Sequence, residues 1–135
     1  MFFPVHFYGD QLPSRQAIVE CAEMTDSVRL VLANRFTSRL RGLIGLSPIP
    51  QNIWLWIEPC QSIHTFFLKE PISLVYLNRL DEVCKLVSDV QPRRINCCLN
   101  ASSVLETKRK SLKDIESIIP MIQEKIRMVR MTQKR

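Results

Sequence analysis

Ile72-Ser73-Leu74-Val75-Tyr76-Leu77 decides how this chain folds. The run is apolar on both faces, as expected of a strand covered on both sides. Pro71 precedes it and a turn through Asn78–Asp81 follows. Working outward, Val83–Val90 is the next extended run, and Ser103–Glu106 a shorter one beyond it. On the N-terminal side lie Ile63–Leu68, the aromatic and β-branched Ile53–Ile57, and Val28–Ala33 with its single charge, Arg29. Pro59, Pro71 and Pro92 fall between runs, where they interrupt no ladder. Short strands at near-regular spacing predict a mainly β fold, an antiparallel sandwich or barrel.

Helices are predicted only at the edges. Phe36, Leu40, Leu43 and Ile44 recur at helical spacing, with Thr37 or Ser38 as cap and Gly45, Pro48 and Pro50 as the stop. This gives a short helix near residues 37–45. Gly42 inside it costs about 1 kcal/mol relative to Ala, which points to close packing against another element. At the C-terminus, Ile115, Ile118, Ile119, Ile122, Ile126 and Val129 form one apolar stripe. Pro120 interrupts the stripe, so a kink or two helices are expected. Residues 1–27 are weakly patterned and read as an irregular arm, with room for a short helix over Arg15–Met24. With 135 residues there is one domain. The organisation is an arm (1–27), a β domain (28–107) and a basic helical segment (108–135).

The formal charge of +6 is not spread evenly. Residues 108–135 hold nine basic side chains against three acidic ones, whereas residues 1–60 and 61–107 each balance. A neutral body with a basic tail suits weak, non-specific contact with nucleic acid or a membrane surface, or a solvated helix face. No aromatic residue follows Tyr76, so the tail offers no stacking platform for single-stranded nucleic acid. There are five cysteines, Cys21, Cys60, Cys84, Cys97 and Cys98, and an odd number argues against a complete disulfide framework. The first residues carry neither a basic n-region nor a continuous apolar core, so a reducing cytoplasmic location is expected.

Five stretches, in order, carry a family resemblance. Arg39-Leu40-Arg41-Gly42-Leu43-Ile44-Gly45 is similar to an Arg-x-x-Gly-Leu-Met box, and Cys60-Gln61-Ser62-Ile63-His64-Thr65-Phe66-Phe67-Leu68 to a Cys-x-Ser-Ile-His-Thr-Phe-x-Met box. Pro71–Leu77, Pro92-Arg93-Arg94 and Ala101-Ser102-Ser103-Val104-Leu105-Glu106 match its later signatures. The chain resembles the Domain of Unknown Function 192 family over residues 28–107. The resemblance implies a compact, mainly β domain and no established reaction. Ser73 stands where the family usually has Asp, and Leu68 where it has Met. Leu46 stands where a second Arg often follows the first box. The usual glycine-containing ending after Glu106 is replaced by the basic segment.

Candidate chemistry is sparse. Cys60 and His64 are the residue types of a nucleophile–base pair, which would need a third group such as Glu106 or Glu58 to orient the imidazole. In an uninterrupted strand His64 shares a face with Phe66 and Leu68. Cys60, His64, Cys97 and Cys98 are soft ligands suited to zinc, but their spacing is poor and neither a metal nor a cofactor is expected. Arg39, Arg41, Arg93 and Arg94 flank the family boxes and suit bidentate capture of a carboxylate or phosphate. The reading that follows is a non-enzymatic binding or accessory domain. Arg39, Arg41, His64, Thr65 and Arg94 would hold a small anion or an acidic protein segment. A Cys/His- or metal-dependent hydrolase and a basic-tail adaptor are the alternatives.

Overall fold

The computed structural model describes residues 18–21, 28–33 and 42–133. Among the described residues, eight strands precede one helix: β1 (Ile18–Cys21), β2 (Val28–Ala33), β3 (Ile53–Ile57), β4 (Ser62–His64), β5 (Ile72–Leu77), β6 (Val83–Val90), β7 (Ile95–Cys97), β8 (Ser103–Lys108) and α1 (Leu112–Gln133). Six strands form one sheet in the order β1-β2-β3-β8-β5-β6, and β4 pairs with β7 as a separate ribbon. Neighbours are antiparallel except β2 and β3, which run parallel. The chain is thus mainly β and sandwich-like, with a large sheet facing a small one.

Side-chain alternation explains the layering. Leu30 and Leu32 of β2, Trp54 and Trp56 of β3, Val75 and Leu77 of β5 and Leu105 of β8 point to one face. Against them pack Ile115, Ile119, Ile122, Ile126 and Val129 of α1. The intervening residues, among them Val31, Leu55, Leu74, Tyr76 and Val104, face the other way. Leu43, Ile44, Ile49, Ile63, Leu68 and Ala101 pack against them. With a helix on one face and a ribbon and loops on the other, β5 is buried along its whole length. That is why Ile72–Leu77 shows no polar face.

Strands β2, β3, β5 and β6 occupy the predicted runs, and β8 extends two residues past Glu106. Four expectations need correction. Where a helix is predicted over Arg15–Met24, Ile18–Cys21 is a strand, because pairing with β2 overrides weak local propensity. Residues 42–45, the described end of the predicted 37–45 helix, form a turn: Gly42 and Gly45 have φ of 53° and 95°, outside helical space. The Ile63–Leu68 run is strand only to His64; a turn closed by the Leu68 N–H on the Thr65 carbonyl (3.2 Å) follows. Finally, α1 is one helix rather than two, with Pro120 inside it. Pro120 and Glu116 are both exposed, so water can satisfy the carbonyl the proline leaves free, while the buried stripe holds both halves to the sheet. β7, three residues long, has no counterpart among the predicted runs.

One polar device starts α1 and another ties its far end to the sheet. Ser111 caps the helix, its hydroxyl accepting the Asp114 N–H at 3.1 Å. At the other end the Arg130 guanidinium donates to Asp81 (2.6 and 2.7 Å) and to Glu58 (3.0 Å), and lies 4.9 Å from the Trp56 ring centroid. These two carboxylates hold Arg130 firmly protonated. Glu58, a sequence candidate for orienting His64, is thereby committed to the helix.

Ser73 has a structural role that a carboxylate could not copy. Its buried hydroxyl donates to the Ser88 carbonyl at 2.7 Å and accepts the Lys110 N–H at 2.8 Å. It ties the segment leading into α1 to β5 and β6. An ionised Asp accepts but cannot donate, and would face the Ser88 carbonyl with like polarity. Ser73→Ala strands both partners and should cost about 2 kcal/mol in urea unfolding. Ser73→Asp should cost more. A stability within 0.5 kcal/mol of the parent for both, roughly the scatter of a neutral surface change, would refute this role.

Candidate partner-binding surface

The β4–β7 ribbon has a dry side and a wet side. Ile63 is buried toward the sheet. Ser62, His64, Ile95 and Cys97, opposite one another in the register, are exposed. Beyond β4 the turn carries Phe66 and Phe67, which are 46% and 55% exposed, and Ile95 is 69% exposed. The His64 ring stacks on Phe66 (centroids 5.4 Å, planes 29° apart) and meets Phe67 edge-on at 6.3 Å. Leu68 turns inward, so His64 and Leu68 do not share the face an uninterrupted strand would give them.

Thr65 holds this end of the ribbon in shape. It is fully buried, and its N–H donates to the Arg94 carbonyl at 2.9 Å. Its hydroxyl donates to the Gln91 carbonyl at 2.7 Å and accepts the Arg94 N–H at 2.9 Å. Its carbonyl accepts the Arg93 N–H at 3.0 Å. With these bonds inside the protein, Thr65 positions Arg93 and Arg94 rather than presenting itself. Arg93 sits in the left-handed region (φ 65°), an unfavourable conformation for a side chain of its size. Arg94 Nη1 donates to the Arg93 carbonyl at 3.2 Å. Among the described residues neither guanidinium has a carboxylate partner. Thr65 thus joins the segment after His64 to the backbone of Arg93 and Arg94, while Arg39 and Arg41 lie outside the described residues.

The Cys60 thiol donates to the Ser62 carbonyl at 3.1 Å and packs against the core beneath the ribbon, while His64 lies on the outer side. Cys60 borders a cavity of about 450 Å³ with Pro59, Arg79, Ala101 and Ser102. Among the described residues no three His, Cys, Asp or Glu side chains are grouped to hold a metal ion. Glu106, the other candidate to orient His64, is buried in the middle of the large sheet under Gly42. Burial pushes its carboxyl up to about 7, with the Leu43 N–H pulling weakly the other way. Tyr76, on the same face of the sheet, is held protonated first by burial and then by the charges of Cys60 and Glu106.

Residues 18–117 match the family described as Uncharacterized ACR, Domain of Unknown Function 192. The chain belongs to that family. The match takes in β1 and the first turns of α1, so the family unit is wider at both ends than the resemblance over residues 28–107. Two solved structures share the fold. One, a protein of unknown function from Novosphingobium aromaticivorans, is 14% identical with a TM-score of 0.58, covering 71% of this chain and 76% of its own. The other, a putative transcription regulator from Sinorhizobium meliloti, is 12% identical with a TM-score of 0.59, covering 73% and 82%. A search of curated proteins found no match. Among the described residues, no helix is long and apolar enough to cross a membrane.

The sequence reading missed Phe66, Phe67 and Ile95 as surface residues. The available signals were the Phe66-Phe67 doublet, whose rings alternation sends to opposite faces so that a ribbon covered on one side exposes at least one, and the Arg93-Arg94 doublet after Pro92.

Proposed function

We propose that this domain is a non-enzymatic binding module that receives an acidic segment of a partner protein, bearing apolar side chains, on the outer face of the β4–β7 ribbon. The observation that carries the reading is the juxtaposition of exposed Phe66, Phe67 and Ile95 with Arg93 and Arg94, which among the described residues lack carboxylate partners. Aromatic and arginine side chains dominate the energetics of protein interfaces, and clustered exposed apolar groups mark docking sites. The hydrogen bonds around Thr65 fix the surface before binding, which lowers the ordering cost. The left-handed Arg93 backbone supports the same reading, since strain of this kind is kept where geometry serves recognition. Exposed thiols at Cys84 and Cys97 fit the reducing cytoplasm.

Fluorescence anisotropy tests it with two labelled peptides, one interleaving Glu with Leu and Phe, the other with Lys in place of Glu. The acidic peptide should bind, more weakly as salt rises. Arg94→Glu and Phe67→Ser should each weaken binding by about tenfold or more, as loss of an interface anchor does. Amide shifts should localise to residues 64–67 and 93–96. Equal affinity for both peptides, or shifts confined to another surface, would overturn the proposal.

A further inference from the structure

Cys84 and Cys98 stand apart from that surface and have no role in it. Cys84 is the second residue of the edge strand β6, and Cys98 follows β7 directly. Their Sγ atoms lie 3.5 Å apart, in hydrogen-bond contact, and both thiols are free. Cys84 is exposed and Cys98 half-buried, so a small reagent can reach the pair from solvent. A second link runs alongside: Lys85 Nζ donates to the Cys97 carbonyl at 2.8 Å. The two segments are therefore already tied together next to the sulfurs. A disulfide requires about 2.05 Å between sulfurs, so about 1.5 Å of approach closes the bond. Lys85 also fixes a positive charge beside the pair, which favours an anionic incoming reagent.

We infer that Cys84 and Cys98 form a redox-active dithiol that exchanges with low-molecular-weight disulfides such as oxidised glutathione. One cysteine, as thiolate, attacks a sulfur of the incoming disulfide. The S–S bond of the reagent breaks, one thiolate leaves with the electron pair, and a mixed disulfide forms on the protein. The second cysteine loses its proton and attacks the protein sulfur of that mixed disulfide, expelling the second small thiolate. The two protons released by the cysteines end on the two leaving thiolates. The protein is oxidised by two electrons and the reagent reduced to two thiols. The product links β6 to the end of β7 covalently. Burial, then the hydrogen bond with Cys98, raises the Cys84 thiol, so the exchange should quicken with pH. The inference rests on the thiol geometry alone and is independent of the binding surface.

Reduced full-length protein is incubated with oxidised glutathione, then analysed by intact mass and non-reducing peptide mapping. The wild type should lose about 2 Da and yield a Cys84–Cys98 cross-linked peptide, the mark of intramolecular closure. Cys97→Ser should still close. Cys84→Ser and Cys98→Ser, checked for folding by circular dichroism, should yield no cross-link and stop at a mixed disulfide on the remaining cysteine. A cross-link from Cys84 to Cys97, mixed disulfides without closure in the wild type, or no reaction would each overturn the inference.

Discussion

Glu106→Gln should make the protein more stable at pH 8 by about 3 kcal/mol while changing little at pH 4.5. The carboxyl is buried, and its pKa stands at about 7 against an ordinary 4.5. An acid raised in this way binds its proton more tightly in the native state than in the unfolded one. Below pH 4.5 both states hold the proton, and the contribution of the group to stability is fully present. Between 4.5 and 7 only the native state does, so stability falls by about 1.4 kcal/mol per pH unit. Above 7 both states are ionised, the loss is complete, and a charge sits among apolar side chains of the sheet and the ribbon. Glutamine keeps the shape and the acceptor for the Leu43 N–H without the charge. Urea unfolding of the two proteins from pH 4.5 to 8.5 measures the difference directly. A difference that widens through pH 5–7 and then levels is the expected result. Parallel curves would mean that Glu106 does not titrate there.

Much of this architecture could be read from residues in isolation, and the pattern of failures has a physical cause. β2, β3 and β5 were legible because both their faces are buried, so apolar runs mark their lengths; β6, largely half-buried or exposed, was legible from its β-branched residues and the turn before it. The α1 stripe was legible because one sheet face accepts it. β1 and β7 were not: each is short, and each exists through pairing with a neighbour rather than through its own pattern. The turn at Gly42 was read as helix because Leu40, Leu43 and Ile44 have helical spacing, yet Leu43 and Ile44 reach the core from a turn just as well. In the candidate site, His64 and Arg94 were identified by type. Their position beside Phe66, Phe67 and Ile95 depends on where β4 ends, and periodicity places strand ends poorly. The Cys84–Cys98 contact joins residues on two segments whose relation only the fold sets.

Gly42→Ala should destabilise the protein by about 2–4 kcal/mol, a large effect for one methyl group. Two costs combine. The φ of 53° lies in the left-handed region, where a Cβ costs about 1–2 kcal/mol. An added Cβ would also stand 2.8 Å from Oε2 and 3.3 Å from Oε1 of Glu106, closer than such atoms tolerate. The carboxyl has little room to retreat, because Glu106 lies at the centre of the sheet between β3 and β5 and is covered above. The two costs separate experimentally. In a Glu106→Ala background the contact is gone and only the backbone strain remains, so Gly42→Ala should there cost no more than about 2 kcal/mol. Unfolding free energies of the four proteins close the cycle. A Gly42→Ala penalty unchanged by removing Glu106 would show that the close approach carries no energy and that Gly42 is required for its φ alone. A penalty that halves would establish that this glycine, in the first family box, and this glutamate, in the last, are matched to each other across the core.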